Sequence, residues 1–433
     1  MKSDSISSCA DTIVALSSGR PPAAVAIIRI SGQRAQVAAE AIAGSLPASR
    51  QSALRTLRHP ESSDPLDTAL VLSFDAPGSV TGEDTVEFQC HGGRAVVAAI
   101  LDALTSLPGT RLAEPGEFTR RALANGRIDL TEAEGLADLL EAETEQQRRA
   151  ALSLVGGALS RQVEAWQSRV LDLSAQAEAT IDYVGDEQET SIDFARLVAE
   201  AQTLADELDE WLARPRAEPL KDGIRVVIAG PPNVGKSSLI NALAGSERAL
   251  VTEIAGTTRD TIEVPLSVGG IPLLLVDTAG LRNSDDHIER LGVERARAEA
   301  GRAEILLWLG HAHDMPDHPH AMHIHPKADL DPPSEPGTAL PISSRTGDGL
   351  AELLAQIAGV AATLLPAEGS VALNRRQAAT IRDAADALRS PPVDVVIFAD
   401  LMRSARLAFD RLTGRASVEE ALDALFGRFC LGK

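Results

Sequence analysis

Cysteine is scarce in this chain of 433 residues: Cys9, Cys90 and Cys430 are odd in number, widely scattered and without C-x-x-C spacing. That pattern excludes a disulfide framework and a structural zinc site, and reduced thiols are the expectation. Aromatic residues are also few, with one tyrosine, three tryptophans and eight phenylalanines, so there is little on which nucleic-acid bases can stack. Basic residues number 41 against 62 acidic ones, a net charge of −21, which argues against indiscriminate nucleic-acid binding. No apolar run approaches the roughly 18–20 residues that span a bilayer, and the opening MKSDSISSCADT lacks the apolar core of a signal peptide. A cytoplasmic protein with no membrane association is expected. The 44% hydrophobic content excludes global disorder, and at roughly 100–200 residues per domain the length suits a multidomain chain.

Proline marks the organisation. None of the 24 prolines falls between Pro115 and Pro215, and such a stretch favours helices. Within it Leu136, Leu139 and Leu140 recur at helical spacing. Residues 129–220 hold 21 acidic and 7 basic side chains, read as a solvated face. Upstream, Thr12–Leu16, Ala24–Ile30, Ala69–Phe74 and Thr85–Cys90 are short β-type runs broken by proline and glycine. Downstream, Ile224–Ala229, Ile262–Val268, Leu273–Val276, Ile305–Leu309 and Ala339–Ile342 alternate with helical patterns, as in a mostly parallel α/β sheet. The expected division is an α+β domain over 1–125, a helical part over 126–220, an α/β domain over 221–365 and a second helical part over 366–433. The two helical parts are expected to pack as one domain into which the α/β domain is inserted.

Gly230-Pro231-Pro232-Asn233-Val234-Gly235-Lys236-Ser237 fits G-x-x-x-x-G-K-[ST] between the strand IRVVIA and the helix start SSLINAL. Its glycines let backbone N–H groups wrap phosphates, Lys236 reaches the β/γ oxygens, and the Ser237 hydroxyl suits Mg2+. Asn233, Val234, Gly235, Lys236, Ser237 and Ser238 are therefore expected at a nucleoside triphosphate. Leu273–Val276 runs into Asp277-Thr278-Ala279-Gly280, which places an acid beside the metal and a glycine N–H toward the γ-phosphate. Gly256-Thr257-Thr258-Arg259-Asp260 lies between the two. A threonine there, taken as Thr258, can complete the Mg2+ shell.

Guanine recognition needs a carboxylate facing the N1–H and exocyclic amine, usually within N-K-x-D. Here the sequence reads Pro326-Lys327-Ala328-Asp329. Lys327 and Asp329 keep their places, whereas proline has no side-chain amide. GTP preference is expected to survive through Asp329 with weaker affinity. Ser343-Ser344-Arg345 stands where an S-A-K turn gives a backbone contact to the base. Many small GTPases orient the attacking water with a glutamine after D-x-x-G; that position is Leu281. Glu289 lies just beyond and could position the water, though its residue chemistry alone favours a surface helix carboxylate.

GPPNVGKSS, VTEIAGTTRD, DTAGLR with IERLGVERA, TGEDTVEFQCHGG, AEPGEFTRRALANGRIDL and the terminal FCLGK together resemble the MnmE (TrmE) family of tRNA-modification GTPases. The likeness spans nearly the full length with the motifs in order, while generic GTPases such as Era or Der share the central motifs alone. It implies a multidomain α+β and α/β protein: an N-terminal α+β folate-binding-like dimerisation domain, an all-α helical domain and an inserted Ras-like P-loop G domain. It further implies a GTP hydrolase, a homodimer, that works with an MnmG (GidA)-type FAD protein to place a carboxymethylaminomethyl group on the wobble uridine of tRNA. K+ is implied at Asn233, Thr252, Ile254 and Thr257, with Thr252 and Thr257 also at the nucleotide and G-domain dimerisation coupled to hydrolysis. Glu289 matches the family's water-positioning glutamate. A tetrahydrofolate derivative, 5-formyl- or methylene-tetrahydrofolate, is implied at Arg29, Glu87, Arg127 and Lys433. Arg127 replaces the family's usual lysine, keeping charge but not hydrogen-bond geometry.

Simpler roles stand beside these: Arg29 as a strand-end charge, Glu87 as an ion-pair partner, and Cys430 as a small buried residue rather than a group near the modification chemistry. Six of nine histidines fall within residues 311–325. Such a tract can bind metal, yet without H-E-x-x-H or cysteine pairing it reads as an exposed variable loop. A GTPase of ribosome assembly and a nucleotide-gated scaffold with negligible hydrolysis are the competing readings.

Overall fold

The computed structural model describes residues 11–182, 194–246, 249–251, 262–277, 301, 303–331, 339–367, 370–416, 419–427, 429 and 432. The chain divides into two compact units, Met1–Ala137 with Asp410–Lys433, and Asp138–Phe409.

In the first unit β1 (Thr12–Leu16), β2 (Val25–Ser31), β3 (Ser52–Arg58), β4 (Pro65–Phe74), β5 (Thr85–His91) and β6 (Thr110–Leu112) form one sheet in the order β3-β4-β5-β2-β1-β6. All pairs are antiparallel except β1 with β6. Strand alternation sends Ile28, Ile30, Val86 and Phe88 to the core beneath helices Ala35–Ala43 and Arg94–Thr105; each such burial contributes about 1.5–3 kcal/mol. The opposite face carries half-buried Arg29 and Glu87, together with Ile13 and Ala15, on which Phe118 of helix Glu117–Ala124 packs. Two strands, β3 and β6, go beyond the sequence expectation. β3 is an edge strand carrying Arg55 and Arg58, whose charges protect its open side while hiding its β pattern. At the far end of the chain, Leu425, Phe426 and Phe429 pack on Leu130, Ala133 and Ala137.

The second unit joins helices to a second sheet. Trp166 of helix Ala158–Asp182 stacks on Phe409 at 5.8 Å between ring centroids and meets Trp211 edge-on at 5.3 Å. Its indole N–H donates to Glu207 at 2.8 Å, so a large buried aromatic has its polar atom satisfied. Middle and tail helices thus share one core, as expected. The chain leaves this bundle and returns to it at one place, where the Ala217 N–H donates to the Leu373 carbonyl at 3.1 Å. Between those points β7 (Ile224–Ala229), β8 (Ala249–Val251), β9 (Ile262–Val268), β10 (Ile271–Asp277), β11 (Ile305–Trp308), β12 (Ala321–His325) and β13 (Leu340–Pro341) form a sheet in the order β13-β12-β11-β7-β10-β9-β8. Pairs from β13 through β7 to β10 are parallel; β9 pairs antiparallel with both β10 and β8. Val226, Ile228, Leu273, Leu275, Ile305 and Leu307 form its core with Leu239, Ile240 and Leu243 of helix Lys236–Ala244.

The histidine-rich segment departs from the reading as an exposed loop. His323 and His325 lie on β12, and the imidazoles of His318 and His323 bond to the carbonyls of Ala303 and Gly310 at 3.0 and 2.9 Å. Histidine is uncommon enough in strands that the apolar alternation of β12 is masked. Among the described residues no group of three or more His, Cys, Asp or Glu is placed to hold a metal, and no helix is long and apolar enough to cross a membrane.

Candidate nucleotide-binding and N-terminal sites

β7 sits where the strand order reverses, with β10 on one side and β11 on the other, and ligands of open α/β sheets bind at that crevice. The loop from β7 to helix Lys236–Ala244 lies there. Gly230 has φ +149°, and a Cβ on it would come within 3.1 Å of the Leu309 backbone, so only glycine fits. Asn233 and Gly235 also take positive φ, at +61° and +113°, turning successive amides inward in the manner of an anion nest. Lys236 is nearly buried, and its ammonium caps the loop by donating to the carbonyls of Gly230 at 2.9 Å and Pro231 at 2.7 Å. The Ser237 hydroxyl donates to Asp277 Oδ2 at 2.7 Å. Asp277 ends β10, beside β7, and is 1% exposed. A hydroxyl and a carboxylate brought together in this way are hard oxygen donors that suit Mg2+.

The base-recognition residues converge on the same rim. Lys327, at φ +57°, donates from its ammonium to the Asn233 carbonyl at 3.0 Å, tying its loop to the phosphate loop. Asp329 accepts at Oδ1 from the Ser343 hydroxyl at 2.7 Å and at Oδ2 from Arg345 Nε at 2.9 Å. The Ser343 hydrogen bond, with the Arg345 guanidinium beside it, holds the Asp329 carboxyl below the usual aspartate range. The spacing of residues along the chain gives no warning of the Arg345 contact; the signal is a charged residue sixteen positions from a carboxylate that needs a partner. Thr252, Ile254, Thr257, Thr258, Thr278, Ala279, Gly280 and Glu289 lie outside the described residues.

In the first unit Arg29 and Glu87 are register partners on β2 and β5, joined by an Arg29 Nε to Glu87 Oε1 bond at 2.8 Å. Glu87 is therefore an ion-pair partner, and Arg29 stands within its strand rather than at its end. Its guanidinium lies 5.6 Å from the centroid of the Phe118 ring. Arg127 is exposed, its stem against Gly82, and among the described contacts it makes none with that pair. Cys9, Cys430 and Lys433 lie outside the described residues; Gly432 accepts at its carbonyl from the Ser17 hydroxyl, just beyond β1, at 2.8 Å. A cluster that motif matching leaves unassigned sits nearby: buried Arg121 donates to Glu83 and Glu117, both at 3.0 Å. It links the TGEDTVEF and GEFTRRALANGR segments.

A phosphate loop at the switch point, a β10 aspartate on its serine and a carboxylate rim for the base define a P-loop GTPase carried by a helical bundle and an N-terminal sheet domain. The family described as "GTP-binding protein TrmE N-terminus" matches residues 12–127, and "MnmE helical domain" matches 130–430. The tRNA modification GTPase MnmE of Erythrobacter litoralis (strain HTCC2594) is 53% identical, covering 98% of this chain and 100% of that protein; its counterpart in Rhizorhabdus wittichii is 50% identical, covering 98% and 97%. Among solved structures, the G domain of the T. maritima FeoB iron transporter is 25% identical, covers 32% of this chain and 98% of that one, and superposes with a TM-score of 0.24. The chain belongs to the MnmE family of tRNA modification GTPases.

Proposed function

We propose that this GTP-binding tRNA-modification hydrolase is K+-dependent, and that its hydrolysis is coupled to dimerisation of its G domains. The observation that supports the nucleotide site is the Ser237–Asp277 hydrogen bond at the mouth of the phosphate loop, a hydroxyl and a carboxylate suited to Mg2+, while the potassium and dimerisation steps rest on the family resemblance. Lys236 leaves its two loop carbonyls for the β/γ oxygens of GTP. Ser237 and Thr258 would hold Mg2+, and Asn233, Thr252, Ile254 and Thr257 would hold K+, which would supply positive charge at the transferring phosphoryl group. Glu289 orients the attacking water, because Leu281 cannot. Asp329 reads the guanine N1–H and amine, and the Ser343-Ser344-Arg345 turn supplies a backbone contact.

The four-part division at 125, 220 and 365, cytoplasmic location, homodimerisation through the N-terminal domain and a tetrahydrofolate derivative at Arg29, Glu87, Arg127 and Lys433 belong to the same reading. So does cooperation with an MnmG-type FAD protein to install carboxymethylaminomethyl groups on wobble uridine. With the acidic helices facing solvent, basic surface for tRNA comes largely from the partner. The test is single-turnover GTP hydrolysis in KCl and NaCl, with nucleoside analysis of wobble uridines in cells lacking the protein. Equal rates in both salts remove the potassium mechanism; unchanged uridine modification removes the pathway assignment.

A further inference from the structure

Pro326 stands where a guanine-binding loop ordinarily presents a side-chain amide to the Hoogsteen edge of the base, and its ring has no donor to offer. Nothing in the Lys327-Ala328-Asp329 stretch replaces that donor. The Lys327 ammonium is committed to the Asn233 carbonyl at 3.0 Å. Ala328 is apolar, and its N–H donates to the Ile342 carbonyl at 2.9 Å. Asp329 offers acceptors alone. On the facing loop a cation stands against the base-recognition carboxylate: Arg345.

Its position is specific. Nε and Nη2 of Arg345 lie 2.9 and 2.8 Å from Oδ2 of Asp329, while Ser343 keeps Oδ1. The Asp329 side chain is 11% exposed, whereas that of Arg345 is 75% exposed. The acceptor is thus fixed by the fold and the donor is free to move. A guanine that pairs its N1–H and exocyclic amine with Asp329 competes with Arg345 for Oδ2. Where Oδ2 takes the N1–H, the displaced guanidinium is left on the side of the base that carries O6 on C6, with N7 two ring atoms further on. In the DNA major groove a guanidinium fork across O6 and N7 is the commonest specific contact to guanine. Lysine, a point donor, cannot span both atoms.

Building on the reading of this site as guanine-specific, we infer that Arg345 is a base-reading residue: it guards the Asp329 carboxylate in the empty site and, once guanine enters, turns to O6 and N7 to supply the recognition that Pro326 cannot. Two consequences follow from one movement. The empty site holds no unpaired carboxylate, and the purine edge is read by a mobile arginine instead of a fixed amide.

The experiment is equilibrium binding to the full-length protein of GDP, ADP and 7-deaza-GDP, whose N7 is replaced by C–H. The unaltered protein should bind GDP about tenfold or more tightly over 7-deaza-GDP, the discrimination typical of one lost base-edge contact. In Arg345→Ala that ratio should fall to about one, Arg345→Lys should keep part of it, and Pro326→Asn in the Arg345→Ala background should restore it. Equal affinity for GDP and 7-deaza-GDP in the unaltered protein overturns the inference, as does a ratio that persists in Arg345→Ala. Preference for GDP over ADP is read in the same titration: its loss overturns the guanine assignment itself, while a kept preference with no 7-deaza effect removes only the role of Arg345.

Discussion

Arg29 and Glu87 face each other across β2 and β5, joined at 2.8 Å, with side chains only 18% and 15% exposed. Each is flanked along its strand by core residues, Ile28 and Ile30 for Arg29 and Val86 and Phe88 for Glu87, so alternation alone turns both to the opposite face. Most of the charge pair is out of water, yet the Arg29 fork has further donors for a carboxylate or pterin ligand. Replacing Glu87 by alanine leaves a half-buried guanidinium and should cost about 1.5–3 kcal/mol, whereas glutamine should keep most of the stability. Arg29→Ala should abolish binding of 5-formyl-tetrahydrofolate while leaving GTP hydrolysis intact. Thermal unfolding and folate titration check the two arms; folate binding unchanged by Arg29→Ala would remove the arginine from that site.

Gly432 has φ +91°, and a Cβ there would meet the Leu16 carbonyl oxygen at 2.1 Å. Backbone oxygen cannot retreat, so Gly432→Ala should unseat the tail from Ser17 and carry Lys433 with it. Loss of folate affinity with unaltered nucleotide affinity is the expected outcome, measured by titrating each ligand separately. A variant that binds folate normally would show that the tail's seat is irrelevant to that ligand.

Much of this is legible in the sequence for reasons of spacing. The phosphate loop is read because its glycines and lysine occupy one short stretch of backbone, and β9 is read to its ends because Ile262, Val264, Leu266 and Val268 fall at every second position. β12 escapes because histidines hold its alternate positions, and β3 because arginines stand on both its faces, Arg55 on the side of buried Leu57 and Arg58 on the exposed side. The pairing of Arg29 with Glu87 is 58 residues long in sequence; only the β2–β5 register turns two separate candidates into one contact. Arg345 on Asp329 is of the same kind, set by two loops that composition cannot bring together.

Cys90 packs with Ala26 and Phe88 in the core of the first sheet, 3% exposed. Burial, with the Asp67 carboxylate adding to it, pushes its thiol up to about 11. The thiolate is the reactive form, so at pH 8 Cys90 should resist iodoacetamide in the native protein and react once urea exposes it. Peptide mapping by mass spectrometry reads this directly. Rapid native alkylation would mean that the sheet opens.

Glu117 is buried, which raises its carboxyl, but hydrogen bonds from Arg111, the Glu114 amide and Arg121 outweigh that and bring it below 4.5. A carboxyl lowered by folding contributes stability above its unfolded value and loses it as pH falls through the folded one. Stability of the N-terminal unit should therefore hold at neutral pH and decline as pH falls below about 4.3, the unfolded glutamate value. In Glu117→Gln this part of the acid dependence should flatten, and Glu117→Ala, which leaves Arg121 with Glu83 and Asp11 as carboxylate partners, should cost about 1.5–3 kcal/mol. Unfolding followed from pH 7 to pH 3 tests the sign; an acid slope identical in the Gln variant would assign it to other groups.

The Ser237–Asp277 contact separates binding from metal use. Asp277 is buried at the end of β10 and Ser237 is its hydrogen-bond partner, so Asp277→Asn keeps the shape of the pair while removing the charge that draws a divalent ion. The variant should lose about 10²-fold in GTP hydrolysis, the scale of one lost electrostatic stabiliser, and its nucleotide affinity should no longer respond to Mg2+. Lys236→Ala acts differently: it removes the cation that caps Gly230 and Pro231 and reaches the phosphates, so GTP affinity itself should fall, with or without Mg2+. Nucleotide titrations with and without EDTA distinguish the two variants. An Asp277→Asn protein whose affinity still rises with Mg2+ would place the metal on other oxygens and detach Asp277 from the reaction.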